Sequence, residues 1–216
     1  LFIFITIVAV ILSGERMNTL IFILCISIIF LINLDYKKSI IFILFLASFL
    51  IITYNNLSTF KSRTDSFFTE ISFLKLNNHI RVFSSAYNIW KENKISGVGN
   101  KNFRIVCDQN KFDSFTNSNQ LCSSHPHNLY FELLSETGII GLILFTMFII
   151  AFLLNYFKGI QKFNKSIYSI FLGCFLVVLF YLWPIRSNGS FFSTFTGTFF
   201  WLNFGFLLLV KRLNKV

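Results

Sequence analysis

The chain is 216 residues long, 55% hydrophobic and 19% aromatic, with 31 phenylalanines and a positive mean hydropathy. This composition is typical of an integral membrane protein and excludes a soluble domain built around a large core. The net charge of +10 would suit a nucleic-acid-binding protein. The basic residues lie at the ends of apolar segments, however, where topology and lipid head groups explain them, so no nucleic-acid partner is expected.

Five apolar segments follow along the chain, with expected bounds 1–12, 19–34, 39–54, 133–157 and 166–183, and 195–210 is the candidate for a sixth. Several are shorter than the ~20 residues that usually cross a bilayer. We predict an all-α polytopic membrane protein with about five or six transmembrane helices. The expected domains are helices over 1–54, a large, partly helical loop over 55–127, helices over 128–210 and a basic tail over 211–216. Because the sequence opens inside an apolar segment without an initiating Met, we interpret it as the C-terminal part of a longer protein.

Basic residues predict the orientation of these segments. One set of short connections holds eight lysines and arginines, and the alternate set holds only Arg16 and Arg186. Cytoplasmic loops carry the excess of basic residues, so the lysine-rich connections are predicted to be cytoplasmic. Arg16, Arg186, the long loop and the start of the segment after it would then share the outer face.

The segment that follows the long loop passes without a break from ionisable into apolar residues. Asn128, Glu132 and Glu136 recur every four residues, which places them on one face of a helix. Carboxylates that enter a bilayer need partners or water. Gly138 and Gly141 are expected to let a neighbouring helix pack closely below this polar cluster. The alternative is an interfacial turn with a solvated first helical turn.

The long loop is predicted to contain an amphipathic helix that begins at Asn77 or Asn78. Its expected apolar face consists of Ile80, Phe83, Tyr87 and Trp90. Its expected polar side consists of Arg81, Ser85, Asn88 and Glu92. A helix of this kind could also simply lie on the membrane surface.

Two cysteines of the same loop, Cys107 and Cys122, lie on the predicted outer side. An oxidising compartment would permit a disulfide there, worth about 3 kcal/mol for a loop near 15 residues in the chain-entropy model. A zinc site built from both cysteines with His125 and His127 is the alternative, although the spacing matches no standard ligand pattern. We expect no metal and no cofactor.

The residues that could carry chemistry are few. The sequence has no P-loop, no dinucleotide glycine fingerprint and no G-x-S-x-G motif. What remains is one candidate base, His127, with three arginines on the predicted outer face, Arg16, Arg81 and Arg186. Imidazole suits removal of a hydroxyl proton near neutrality, and guanidinium groups bind phosphate oxygens bidentately. The combination favours transfer from a lipid-linked substrate with a phosphate leaving group, although each arginine alone is more commonly an interfacial anchor.

These motifs resemble those of the bacterial O-antigen ligase family, in the family's order and along nearly the whole chain. The matching pieces are Ser13-Gly14-Glu15-Arg16; Arg81 with Trp90 and the stretch 95–103; His125-Pro126-His127-Asn128 with Leu133, Glu136, Gly138 and Gly141; and the late loop 184–192. The histidine motif is the most specific of them. Lys94 departs from the pattern, because many members carry proline there.

The resemblance implies a C-type glycosyltransferase fold in the bacterial inner membrane, with the active site and the large loop facing the periplasm. A glycan would move from a polyprenyl-diphosphate carrier to an acceptor hydroxyl, with lipid A–core as the leading acceptor and membrane lipids around the protein. His127 would be the general base, and the arginines would hold the diphosphate, with no metal required. The supporting residues would be Asn128, Glu132, Glu136 and Gly138.

Three alternatives stay open. Members of the family also polymerise O-antigen repeats or glycosylate proteins, and this portion alone would be inactive as a catalyst. A different class is a transporter or flippase fragment for an anionic lipid, with the arginines along a translocation path. A transporter would carry ionisable residues or Gly/Pro breaks near mid-membrane in paired segments. Here the ionisable residues gather at one face, which favours chemistry at that face.

Overall fold

The computed structural model describes residues 2–13, 16–33, 35–72, 78–108, 121–157, 165–184 and 186–213. In these ranges every regular element is an α-helix. The helices are α1 Phe2–Ser13, α2 Arg16–Asn33, α3 Tyr36–Asn56, α4 Ser58–Ser72, α5 Asn78–Glu92, α6 Phe103–Asp108, α7 Leu129–Phe157, α8 Lys165–Tyr181 and α9 Thr194–Leu213. They form two compact units, Leu1–Lys75 and Leu76–Val216, and each is described by itself.

The six apolar segments expected from the sequence correspond to α1, α2, α3, α7, α8 and α9. Among the described residues, two helices are long and apolar enough to cross a membrane, Tyr36–Asn56 and Leu129–Asn155. Thr19–Ile32, Ile167–Tyr181 and Thr194–Val210 are shorter apolar helices. The helical architecture is therefore confirmed with two candidate spans, and the number of five or six stays a prediction.

The two candidate spans differ from the core helices of soluble proteins in how little of them is buried. Only 17% of the window in α3 and 11% of the window in α7 is buried inside the protein. The exposed side chains are large and apolar, as Leu144, Met147 and Leu154 illustrate on α7. Contiguous apolar surface of this kind marks contact with lipid or another protein, which fits a membrane-embedded chain.

The first unit packs α1, α2 and α3 around Ile7, Ile26 and Leu46. The Phe30 and Phe42 rings stack at 3.8 Å where α2 meets α3. Helix α4, which the sequence did not predict, joins this unit. Its Phe60 packs on the same cluster, and Asp65 accepts a 2.6 Å hydrogen bond from the Tyr54 hydroxyl. The first unit thus extends past residue 54, where the loop domain was expected to begin.

In the second unit, α5 buries a different face from the one expected. Val82, Ser85, Ala86 and Ile89 are buried, with Ser85 fully so, whereas Ile80 and Tyr87 of the expected apolar face are each 41% exposed. The predicted apolar face is therefore wrong for Ile80 and Tyr87, whereas Phe83 packs on Phe131 of α7, and the assignment of Ser85 to the polar side is wrong. The small Ser85 and Ala86 side chains, both 0% exposed, lie on this buried face. Asn77, one of the two expected caps, lies outside the described residues.

A disulfide joins Cys107 of α6 to Cys122. Cys107 and Phe103 of α6 complete the buried cluster on α5. Ser85 of α5 fixes the same region from another side, because its Oγ donates to the Leu121 carbonyl at 3.0 Å and accepts from the Leu121 amide at 3.2 Å. The chain before His127 is therefore anchored to both α5 and α6.

Helix α7 is interrupted at Gly138, which has φ 68° and ψ −170°. The carbonyls of Ser135 and Glu136 accept from the Val98 and Gly99 amides at 3.0 and 2.8 Å instead of from their own helix. In return, the amides of Ile139 and Ile140 donate to Lys94 and Ile95 at 2.9 and 3.4 Å. Four groups that the break would orphan are thus satisfied by the backbone of the loop 94–99.

Glycine is required at this junction because a Cβ on Gly138 would overlap the Ile95 carbonyl, and one on Gly97 would overlap the Glu136 backbone. Both glycines also have positive φ, which L side chains rarely adopt. The expectation that Gly138 makes room for a neighbouring helix is therefore wrong. Its close neighbour is the loop 94–99.

We predict that Gly138→Ala destabilises the protein by at least ~2 kcal/mol, because it combines positive φ with a backbone overlap. Gly173→Ala on α8 is the matched control, since a Cβ there meets nothing within 4 Å. Thermal unfolding of the two variants in detergent measures the difference. Equal melting temperatures would contradict the claim that the contact with the loop 94–99 requires glycine at position 138.

Candidate functional site

Asn128 links the start of α7 to the loop between α8 and α9. Its Oδ1 accepts from the Tyr130 and Phe131 amides at 3.0 and 3.3 Å, which caps the helix. Its Nδ2 donates to the Pro184 carbonyl at 2.7 Å and to the Arg186 carbonyl at 3.4 Å. A single side chain therefore begins the helix and holds the late loop against it.

Glu132 holds the same loop one turn further along. It is 2% exposed, and its carboxylate accepts from the Ser190 hydroxyl and from the Phe191 amide, the latter at 2.7 Å. A buried carboxylate is costly unless its oxygens are hydrogen-bonded, and both oxygens are bonded here. Glu132 therefore holds the loop 186–193 against α7.

Glu136 holds a second loop, the turn before α6, against α7. It is also 2% exposed, and it accepts from the Lys101 amide at 2.7 Å and the Phe103 amide at 3.3 Å. Those amides belong to the turn that leads into α6. The i, i+4 spacing thus places two carboxylates on α7, each hydrogen-bonded to a separate loop. The alternative of a solvated first helical turn is wrong, because Asn128, Glu132 and Glu136 are all buried.

His127 lies immediately before this capped helix, in a conformation that non-glycine residues seldom adopt, with φ 57°. Its carbonyl accepts from the Asn188 amide at 2.8 Å, and its Nε2 lies 2.9 Å from Ser123 Oγ. Unusual backbone angles persist where the surroundings over-determine them and cluster at functional sites. Here the Asn128 cap, the Asn188 amide and Ser123 together hold His127 in this conformation.

The three histidines of the chain come together at this point. The His127 ring lies 4.1 Å from that of His125 and 5.7 Å, edge-on, from that of His79 at the start of α5. Burial, followed by the positive charge of His125 and of His79, lowers the pKa of His127 to about 4. The imidazole is therefore neutral, with a lone pair available, across the physiological range.

His125 and His127 differ in the use of their ring nitrogens. Nε2 of His125 donates to the Asn188 carbonyl at 3.2 Å, since a carbonyl can only accept, and Nδ1 lies 3.0 Å from Ser124 Oγ. Both nitrogens of His125 are thus bonded. His127 uses only Nε2, and its Nδ1 has no hydrogen bond among the described residues. Of the two, His127 is the one equipped to accept a proton.

The arginines are placed differently from one another. Arg81 lies on α5, two residues after His79, with a half-buried side chain. Arg186 lies in the late loop, where its Nη1 donates to the Phe180 carbonyl at 3.4 Å and its guanidinium lies 5.6 Å from the centre of the Tyr181 ring. Arg16 begins α2 in the first unit, and its side chain lies outside the described residues.

Sequence reasoning missed several residues at this site, namely His79, Ser123, Asn188 and Ser190. The tandem Ser123-Ser124-His125-Pro126-His127 was a usable signal, because each serine bonds one histidine. His79 precedes Phe83 by one helical turn, and Phe83 stacks on Phe131 of α7 at 4.8 Å. The position of His79 at this site could therefore be inferred only once the face of α5 that packs on α7 was known.

The zinc alternative is wrong in its donors, because Cys107 and Cys122 are joined in a disulfide and offer no thiolate. His125 has both ring nitrogens bonded within the protein. Within the described ranges, no group of three or more His, Cys, Asp or Glu side chains is arranged to hold a metal ion.

A family model described as O-antigen ligase matches residues 1–146, more than half of the chain. The chain belongs to the O-antigen ligase family, as the sequence motifs predicted. The match includes the sequence range of Arg16, Arg81, the disulfide and the histidine motif, and ends within α7. A comparison with curated proteins found no match.

We predict that Glu136→Gln destabilises the protein by about 1–3 kcal/mol, because an amide cannot accept from both backbone donors as the carboxylate does. Hydrogen exchange at Lys101 and Phe103 should rise selectively. Glu92→Gln, at an exposed position on α5, is the control. Unchanged exchange at both amides in Glu136→Gln would contradict this role of Glu136.

Proposed function

We propose that this protein is an O-antigen ligase-like glycosyltransferase. It moves a glycan from a polyprenyl-diphosphate carrier to a hydroxyl of lipid A–core at the periplasmic face of the inner membrane, in which it spans several times. Family membership supports the reaction class. The single observation that carries the base assignment is the setting of His127, which is fixed in place and, among the described residues, hydrogen-bonded only through Nε2, while burial lowers its pKa to about 4.

In the proposed reaction, the acceptor hydroxyl attacks the anomeric carbon of the donor sugar. The new glycosidic C–O bond forms while the bond from that carbon to the phosphate oxygen breaks. The hydroxyl proton passes to His127, and the diphosphate leaves on its carrier. Positioned proton transfer is worth ~10²–10⁴-fold in rate.

The diphosphate would be held by arginines. Arg16 and Arg81 match the family's motifs, and Arg186 shares a loop with Asn188, whose backbone bonds both His125 and His127. Guanidinium groups stabilise the charge on a departing diphosphate in a preorganised way. Because these arginines supply the positive charge, the proposed reaction requires no metal and no cofactor.

The supporting residues have roles that follow from their contacts. Asn128 caps α7, Glu132 and Glu136 hold the two loops, and Gly138 permits the junction with the loop 94–99. Both oxygens of each carboxylate accept a hydrogen bond. They therefore position the site and are poor candidates for a substitute base.

A transporter would also use an interrupted helix, since the free backbone groups at such a break bind ions or substrate. In α7 those groups are occupied by the loop 94–99. This contact favours the enzyme over the transporter. Polymerisation of O-antigen repeats or transfer to a protein uses the same donor and differs only in the acceptor.

We predict that His127→Ala abolishes transfer, because no base remains for the acceptor hydroxyl, while donor binding persists. Arg81→Lys should instead weaken donor binding, since a point charge cannot reproduce a bidentate grip. The measurements are donor binding and transfer by purified full-length variants, with His125→Ala as the histidine control.

In cells, the wild-type gene should restore polymer on lipid A–core in a ligase-deleted strain, and His127→Ala should not. Polymer that lengthens without reaching lipid A–core would identify a polymerase instead. Near-normal transfer by His127→Ala would remove the base assignment.

We also predict an acid limb of kcat/KM near pH 4, because that parameter reports the free enzyme and His127 loses its lone pair only when it is protonated. The limb of kcat should lie at higher pH, since the bound anionic diphosphate stabilises the imidazolium. His125→Ala removes a positive neighbour and should move the kcat/KM limb upward. An unperturbed limb near pH 6.5 in the wild type would contradict the environment described for His127.

A further inference from the structure

The contact between Ser123 and His127 has a consequence for proton transfer. Ser123 Oγ lies 2.9 Å from Nε2, the one ring nitrogen of His127 that is hydrogen-bonded within the described residues. A neutral imidazole carries a proton on one nitrogen and a lone pair on the other. The hydrogen bond made by one nitrogen therefore decides what the other nitrogen presents to a substrate.

A base needs its lone pair on the nitrogen that faces the acceptor hydroxyl. If Ser123 donated to Nε2, the proton would sit on Nδ1 and His127 could not accept another there. If Nε2–H donates to Ser123 Oγ, the lone pair lies on Nδ1. Only the second arrangement is compatible with proton removal through Nδ1, which has no hydrogen bond to the part of the chain that the structure describes.

The neighbouring histidine has the same protonation pattern for an independent reason. Nε2 of His125 must carry a proton because its partner is the Asn188 carbonyl. In the neutral ring, the Nδ1 lone pair of His125 then accepts from the Ser124 hydroxyl. The two serines thus contact different ring nitrogens. Ser124 donates to Nδ1 of His125, whereas Ser123 contacts Nε2 of His127.

Ser123 is held in place by the structure around it. Cys122, the residue before it, is bonded to Cys107 of α6, and Leu121 exchanges two hydrogen bonds with Ser85 of α5. The His127 backbone is fixed through its carbonyl by Asn188. Both ends of the Ser123–His127 contact are therefore anchored, as an orienting partner requires.

We propose that Ser123 is a positioning residue that accepts the Nε2–H of His127 and so directs the Nδ1 lone pair at the acceptor hydroxyl. This inference rests on the proposed function, because it specifies which atom acts as the base. During transfer the acceptor proton moves to Nδ1, and the resulting imidazolium keeps its Nε2–H bond to Ser123. The disulfide then serves the site, since it fixes the residue next to the orienting serine.

The first test is ¹⁵N NMR of histidine-labelled full-length protein, with the His127 signal identified by its loss in His127→Gln. We expect the Nε2–H form of His127 in the wild type and a mixture of both forms in Ser123→Ala. A wild-type Nδ1–H form would overturn the proposal whether or not His127 proves essential for transfer.

The second test is kinetic. Ser123→Ala should lower kcat about 10-fold with little change in KM, comparable to the loss of partners that orient other functional imidazoles. Ser123→Thr should restore most of the rate because it keeps the hydroxyl. Ser124→Ala, which removes the partner of His125, is the matched control and should leave the His127 tautomer unchanged.

Two results would contradict the positioning role. A lower KM for the acceptor or a faster rate in Ser123→Ala would mean that the hydroxyl merely occupies the acceptor position. A rate loss that Ser123→Thr does not rescue, with no change in tautomer, would mean that Ser123 is only a packing residue. The base assignment is tested separately by His127→Ala, so failure of one does not imply failure of the other.

Discussion

The second unit depends on the exchange of backbone hydrogen bonds at Gly138. An interrupted helix next to lipid would leave carbonyls and amides unsatisfied, at a cost of several kcal/mol for each group. The loop 94–99 takes up all four groups at the break. Because the loop backbone approaches so closely, neither Gly97 nor Gly138 has room for a Cβ. The glycines of the loop and of the helix are therefore parts of one contact.

This contact explains how Glu136 can be buried beside an apolar helix, and the late loop does the same for Glu132. Once the loop is fixed on α7, the Lys101 and Phe103 amides point at Glu136, and the late loop offers Ser190 and the Phe191 amide to Glu132. Each carboxylate exchanges water for preorganised donors. The two loops in turn are held in register with the helix start, where His127 lies between the Asn128 cap and the anchored segment that ends at Ser123.

Much of the fold followed from the sequence, because apolar length and helical spacing are local properties. All six apolar segments form helices, and the family motifs identified the family. The face of α5 was wrong for a physical reason. Large apolar residues such as Ile80 and Tyr87 weigh heavily in a periodic pattern, yet close packing selected the small Ser85 and Ala86 for the interior. Helix α4 was missed because it is polar and depends on contacts such as that of Tyr54 with Asp65.

The sequence by itself determined the class of protein, the histidine motif and the spacing that puts Asn128, Glu132 and Glu136 on one helical face. Only the tertiary structure decided what those residues do. Sequence spacing specifies the direction of a side chain but not its partner, and here the partners of the two carboxylates lie 33 to 59 positions away along the chain. The meeting of His79 with His127, and the division of labour between Ser123 and Ser124, likewise depend on which loops the broken helix brings together.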